Sequence, residues 1–239
     1  MNIAVIFAGG TGQRMNSKTK PKQFLELHGK PILVYTLEVF ENHEEIDGII
    51  LVMINEWIEY SREIIKKYGI HKVASIVPGG GSGQDSIYMG LLKAEELYDG
   101  DSIVLIHDGV RPLIDSDTIT KAINCTLRYR SAIAVAPAVE TIALKSGDGS
   151  VGEIIDRARC QIAKAPQCFV LKDILKAHRR IREEGGRQFI DSASLMQNYG
   201  HRLYTVETTP ENIKITTPGD FYIFRAIIDA RENSQIFGI

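Results

Sequence analysis

The chain has little of what staples, anchors or polarises a protein. Its three cysteines, Cys125, Cys160 and Cys168, are odd in number and far apart, and no Cys-x-x-Cys pair occurs. Neither a disulfide framework nor a zinc site is expected, and the thiols read as free groups in a reducing compartment. Nothing around Cys160 or Cys168 carries the local signature of a Cys/His nucleophile. A basic surplus is missing too: 28 Lys and Arg stand against 30 Asp and Glu, for a formal charge of −2. That argues against general nucleic-acid binding and leaves a small-molecule nucleotide as the expected kind of nucleotide partner. Long apolar runs are also absent. The stretch 48–54, among the longest, is far too short to cross a bilayer, and no basic segment leads into a secretory apolar core at the N-terminus. No membrane partner is expected, and the expected location is the cytoplasm. No repeat, low-complexity tract or polar linker divides the 239 residues, so a single domain over 1–239 is expected.

What the chain does have begins with Ile3-Ala4-Val5-Ile6-Phe7, an apolar run that reads as a buried strand, followed by Ala8-Gly9-Gly10-Thr11-Gly12. Glycines without Cβ atoms let the chain turn sharply and bring main-chain N–H groups against an anion. Arg14 and Lys22 follow at once. A tight strand-to-helix turn alone does not call for these cations, so the loop 8–12 is read as a grip on nucleotide phosphates, with Arg14 and Lys22 neutralising charge. The letters exclude two familiar loops. Gly12 is followed by Gln13-Arg14 where a P-loop needs Gly-Lys-Ser/Thr, and Met15 stands where a dinucleotide fingerprint needs its third glycine.

Beyond the loop, Leu33, Leu37 and Phe40 in 31–41 are at helical spacing, and 48–54 is nearly continuous apolar sequence. Such a strand is covered on both faces, which implies a parallel sheet with helices on either side. Residues 56–68 read as an amphipathic helix, 73–77 as a strand, 102–106 as a buried strand, 115–129 as a helix and 131–137 as a strand. A second glycine-rich stretch, 78–86, precedes a helix along which Ile87, Leu91, Leu92 and Leu97 lie, so that unpaired N–H groups at its start could meet a base edge, ribose or phosphate through Gly80, Gly81, Asp85 and Ser86. Plain capping of that helix by Ser82, Asp85 or Ser86 fits equally well. Asp108 closes the strand 102–106 in the sequence His107-Asp108-Gly109-Val110-Arg111-Pro112, where open α/β sheets collect ligands. It could help to hold Mg²⁺, accept from a ribose or polyol hydroxyl, or merely cap a turn. His107 reads as a structural hydrogen-bonding group. Two β-like runs at 140–144 and 151–155 flank a Gly/Asp turn and interrupt the alternation as a hairpin arm at about 139–163. A helix over 170–184 has Leu171, Ile174, Leu175 and Ile181 inside and His178, Arg179, Arg180 and Arg182 on a face read as solvated; 191–199 is a further helix, and 212–217 a short strand carrying Lys214.

The segments AGGTGQRM, PKQFLELHGKPIL, GGGSGQDSIYMGL, IHDGVRP, APQCF and NIKITTP together resemble, in order, the cytidylyltransferases that activate 2-C-methyl-D-erythritol 4-phosphate or ribitol 5-phosphate. The resemblance implies a three-layer Rossmann-like nucleotidyltransferase fold with a mostly parallel sheet and a protruding arm through which two chains form a homodimer. It implies CTP and a polyol phosphate as substrates, Mg²⁺ as cofactor and no covalent intermediate. The glycines and Ala8, Thr11, Asp85, Ser86 and Asp108 would then serve CTP. Asp108, Thr141, Arg157 and Lys214 would serve the acceptor, Arg157 in the partner's site. Two residues depart from the pattern: Gly83 stands in place of an arginine and Ala165, in Ala163-Lys164-Ala165-Pro166-Gln167, in place of a threonine. They leave open a protein that binds nucleotide without catalysis. Lys164 could compensate electrostatically for the missing hydroxyl, but it is read first as a solvated lysine. Both acceptors remain open, with AGGTG, PKQF and Trp57 leaning to the ribitol branch.

Overall fold

The computed structural model describes residues 1–10, 20–186 and 188–237. In chain order the elements are β1 (Asn2–Ala8), a 3-10 turn (Lys22–Phe24), β2 (Glu26–Leu27), β3 (Lys30–Pro31), α1 (Ile32–Glu41), β4 (Gly48–Met53), a 3-10 turn (Asn55–Trp57), α2 (Ile58–Lys67), β5 (Val73–Pro78), α3 (Gly83–Leu97), β6 (Ile103–Asp108) and α4 (Ser116–Tyr129). There follow β7 (Ser131–Pro137), β8 (Ile142–Lys145), β9 (Val151–Ile155), a 3-10 turn (Arg157–Arg159), β10 (Gln161–Val170), α5 (Leu171–Glu183), α6 (Ser192–Asn198), β11 (Thr205–Glu207) and α7 (Pro218–Phe237).

Seven strands form one sheet in the order β11-β7-β10-β6-β1-β4-β5. Every pairing in it is parallel except those of β10, which runs antiparallel to both β6 and β7. The period of two along β1 shows why both faces are covered. Ala4, Ile6 and Ala8 join Leu33, Leu37 and Phe40 of α1 in one core, while Ile3 and Val5 join Leu91 of α3 and Ile174 of α5 in the other. Helix, sheet and helix make three layers. Gly90 lets α3 lie against the sheet, because a Cβ there would come within 2.6 Å of Val5 Cγ1 and 2.7 Å of Val52 Cγ2.

One strand was not expected from the sequence, and two expectations are corrected. The run 163–167 belongs to the long strand β10, which the sequence hides because Pro166 interrupts the ladder: the register shifts between Ala163 and Gln167. Segment 212–216 forms no strand; it is irregular chain tied by the Ile215 N–H to Val110 O at 2.9 Å. On α5, His178 is buried, and Arg182 reaches inward to Asp85, so the face carrying them is not simply solvated.

The hairpin β8–β9 stands as a separate two-stranded sheet and presents Leu144, Val151 and Ile154 to solvent, each more than half exposed, with Val139 at its root. Among the described residues no helix is long and apolar enough to cross a membrane.

Candidate active site

The parallel strands β1, β4, β5 and β6 deliver their carboxyl ends to one edge, and a cavity of about 430 Å³ opens there. Its walls bring together Ala8, Gly9 and Gly10 from the first glycine loop, Gly80, Gly81 and Ser86 from the second, and Lys22, Asp108 and Lys214. These predicted residues come from both ends of the chain. Thr11, Gly12 and Arg14 lie outside the described residues.

Lys22 is positioned by its neighbours. Its turn is stapled to the end of β1 by buried Gln23, whose Nε2 donates to Ala8 O at 2.7 Å, and Phe24 beside it packs on Trp57 and Tyr60 with ring centroids 5.0 and 5.1 Å away. Lys22 Nζ donates to Ile215 O at 3.0 Å. The ammonium thereby ties the N-terminal loop to the segment that carries Lys214.

The second loop is held from within. Ser82 caps α3 by accepting from Asp85 N–H at 3.1 Å, and its hydroxyl donates to Asp85 Oδ2 at 2.7 Å. Ser86 Oγ accepts from Gly80 N–H at 3.1 Å and donates to Ser82 O at 3.0 Å. A Cβ at Gly80 would lie 2.3 Å from Asp85 Cβ, which is why glycine is needed there. Asp85 turns its other oxygen to Arg182 Nη2, 2.6 Å away, so its carboxylate serves the loop's own architecture and faces away from the cavity. The capping reading is met by Ser82, while Gly80, Gly81, Ser82 and Ser86 line the cavity.

Asp108 is the electrostatic centre. Its Oδ2 accepts from Arg111 Nε at 2.7 Å, and Lys214 Nζ lies 2.5 Å from Oδ1. Burial alone would raise this carboxyl, but Lys214 and Arg111 overturn that and hold it below the ordinary carboxylate range. It is a committed anion between two cations. His107, fully buried, has its pKa lowered to about 4, first by desolvation, with the nearby Asp108 opposing the shift. Its Nε2 lies 3.2 Å from Arg111 O, and its ring packs 5.0 Å from Phe40, which bears out a structural role.

A second cavity of about 510 Å³ shares Phe7, Gly83, Asp108 and Lys214 with the first and extends toward Arg111, Lys164 and Ala165. Lys164 is corrected from solvated to engaged: Nζ donates to Pro210 O at 2.8 Å and Asn212 O at 3.2 Å. Ala165 O is fixed by Asn212 Nδ2 at 2.7 Å. Gly83 has open space around it, so nothing in the packing demands its small size.

Thr141 and Arg157 do not reach this cleft. Both are exposed on the arm, where Arg157 Nη1 donates to Val139 O at 2.9 Å. As for metals, one cluster of three possible ligands occurs among the described residues, His28, Asp229 and Glu232, and none of these lines either cavity. In the first cavity Asp108 is the only carboxylate among the described lining residues. That donor set suits Mg²⁺ carried on phosphate oxygens and water and does not suit an all-protein cage.

Arg111 was not singled out from the sequence, although its place three residues after Asp108 was a usable signal. The supporting contacts of Gln23 and Asn212 had none.

Known proteins resemble this chain throughout. The family model for 2-C-methyl-D-erythritol 4-phosphate cytidylyltransferase (IspD) matches residues 2–230. The ribitol-5-phosphate cytidylyltransferase of Vibrio parahaemolyticus serotype O3:K6 is 51% identical over 238 residues, all of both chains. The 2-C-methyl-D-erythritol 4-phosphate cytidylyltransferase of Clostridium botulinum strain Okra is 40% identical over 228 residues, covering 95% of this chain and 97% of its own. A solved structure, the 4-diphosphocytidyl-2C-methyl-D-erythritol synthase of Anaerococcus prevotii, superposes with a TM-score of 0.82 at 26% identity, covering 95% of this chain and 96% of that one.

Proposed function

The chain belongs to the 2-C-methyl-D-erythritol 4-phosphate cytidylyltransferase family, and from that premise we propose that the acceptor it takes is ribitol 5-phosphate. It is a nucleotidyltransferase that moves CMP from CTP to a polyol phosphate. The observation that carries the choice of acceptor is the gap in likeness, 51% over the whole chain to a ribitol enzyme against 40% to a methylerythritol enzyme.

In the reaction a phosphate oxygen of the acceptor forms a bond to the α-phosphorus of CTP as the bond to the β-phosphate oxygen breaks, and pyrophosphate leaves. Such chemistry is driven by positioning and charge stabilisation, so fixed donors and cations are the required equipment. We assign the backbone N–H groups of Ala8, Gly9, Gly10, Thr11, Gly12 and Gly81, together with Gly80 and Ser86 as walls of the cavity, to the nucleotide. Lys22 and Arg14 take the charge growing on the leaving pyrophosphate. Lys214 and a partner's arm, through its Thr141 and Arg157 positions, orient the acceptor. Asp108 holds Lys214 and Arg111 in register while presenting its edge to substrate hydroxyls. Mg²⁺, held by triphosphate oxygens with Asp108 at hand, would supply charge neutralisation.

The arm's exposed apolar residues want a cover, since an isolated hairpin is marginal in water, and we assign that cover to a second copy of the chain. Residues 1–239 are read as one catalytic domain with the arm as its excursion. A cytoplasmic location accords with the three free cysteines.

Pyrophosphate release with CTP and Mg²⁺ tests the reading. Turnover with ribitol 5-phosphate should exceed that with 2-C-methyl-D-erythritol 4-phosphate by about tenfold or more in kcat/KM, the scale on which a built polar site separates such analogues. The reverse preference would move the acceptor, and no release with either would leave a nucleotide-binding protein.

A further inference from the structure

The second cavity carries an imbalance of charge. Arg111, Lys164 and Lys214 line it with two carboxylates, Asp108 and Asp191. Asp191 is spent on its own helix: Oδ1 accepts from the N–H and hydroxyl of Ser194, at 2.8 and 2.6 Å, and Oδ2 from Gln167 Nε2 at 2.9 Å. Asp108 is divided between Arg111 and Lys214. Among the described residues no carboxylate lies within ion-pairing distance of Lys164. Its partners are two neutral carbonyls, and one of them, Asn212 O, is also taken by Arg111 Nη1 at 2.9 Å. Two cations therefore meet on a single uncharged oxygen. Burial first, and Arg111 second, push the Lys164 ammonium below its usual pKa, as expected for a half-buried cation without a counter-ion.

We propose that Lys164 is a substrate-binding residue of the acceptor subsite, taking with Arg111 the dianionic phosphate monoester of the polyol phosphate. This rests on reading the second cavity as the acceptor's seat. A hydroxyl would not offset the uncompensated charge, whereas a phosphate dianion does so and fits the donors that remain: an ammonium has three N–H groups, and the two carbonyls use two. The nucleotide's phosphates are the poorer match, because Lys164 lines the second cavity and not the first. The two cavities adjoin at Asp108 and Lys214, which sets the acceptor's phosphate beside the place where the α-phosphorus must come.

The test compares the unmodified chain with Lys164→Gln, which keeps donors for the two carbonyls but loses the charge, and with Lys164→Arg, which keeps the charge. Steady-state pyrophosphate release is measured against ribitol 5-phosphate and CTP separately, with melting curves for all three proteins. Loss of one charge-assisted contact should raise the acceptor KM of Lys164→Gln about ten- to a hundredfold. Its KM for CTP should stay within about twofold, Lys164→Arg should recover most of the loss, and inorganic phosphate should compete with the acceptor less well in the Gln variant than in the unmodified chain. An unchanged acceptor KM in a chain that turns over would overturn the inference alone. So would a rise in both KM values with a lower Tm that arginine does not restore, since that pattern belongs to a lysine that only pins the carbonyls. No turnover by the unmodified chain would remove the functional reading, and this inference with it.

Discussion

Lys22→Ala is expected to lower kcat about a hundred- to thousandfold, the usual cost of losing one preorganised charge contact at a transition state. The side chain lines the first cavity from a turn fastened to β1 by Gln23 and braced by the Phe24, Trp57 and Tyr60 rings. None of those supports depends on the ammonium. The melting temperature should therefore stay within a few degrees of the parent, because those buried supports hold the turn whatever stands at position 22. KM for both substrates should move less than kcat, since charge on the leaving pyrophosphate grows toward the transition state. Near-normal kcat in a folded variant would remove Lys22 from the mechanism.

The second large effect concerns the arm. Arg157 is exposed, donates to Val139 O and lies outside both of these cavities of its own chain. If it completes the site of a second copy, Arg157→Ala should raise the acceptor KM strongly, and co-expressing it with Lys22→Ala should restore activity that neither variant has. In a mixed dimer one of the two sites keeps its own Lys22 and receives an intact Arg157, so random assembly should return about a quarter of the sites. Gel filtration and light scattering of the mixture establish the dimer, and pyrophosphate release reads the recovery. A monomer in solution, or a mixture no more active than its components, would detach the arm from catalysis.

The elements that could be read from sequence were those whose pattern is local. The apolar runs of β1, β4 and β6 and the helical spacing in α1 and α3 state their faces directly, because each strand is buried on both sides and each helix on one. β10 could not be read, because Pro166 breaks its ladder, and three-residue β11 is too short to carry a period. In the site, the two glycine loops and Asp108 were legible as chemistry at strand ends. Arg111 was not, and a charge role for Lys164 was only one of two readings, since what makes them informative is a shared carbonyl 101 and 48 residues further along the chain. His178 misled for the same reason: α5 packs over α3 and sets its ring 5.5 Å from that of Tyr88, a contact no local pattern announces.

The account turns on where the triphosphate sits, and a crystal structure with CTP and Mg²⁺ tests that most directly. Phosphate oxygens should lie within about 3 Å of the backbone N–H groups of Gly9, Gly10 and Gly81 and of Lys22 Nζ. A nucleotide bound elsewhere, or Lys22 turned to bulk solvent with CTP in place, would contradict it.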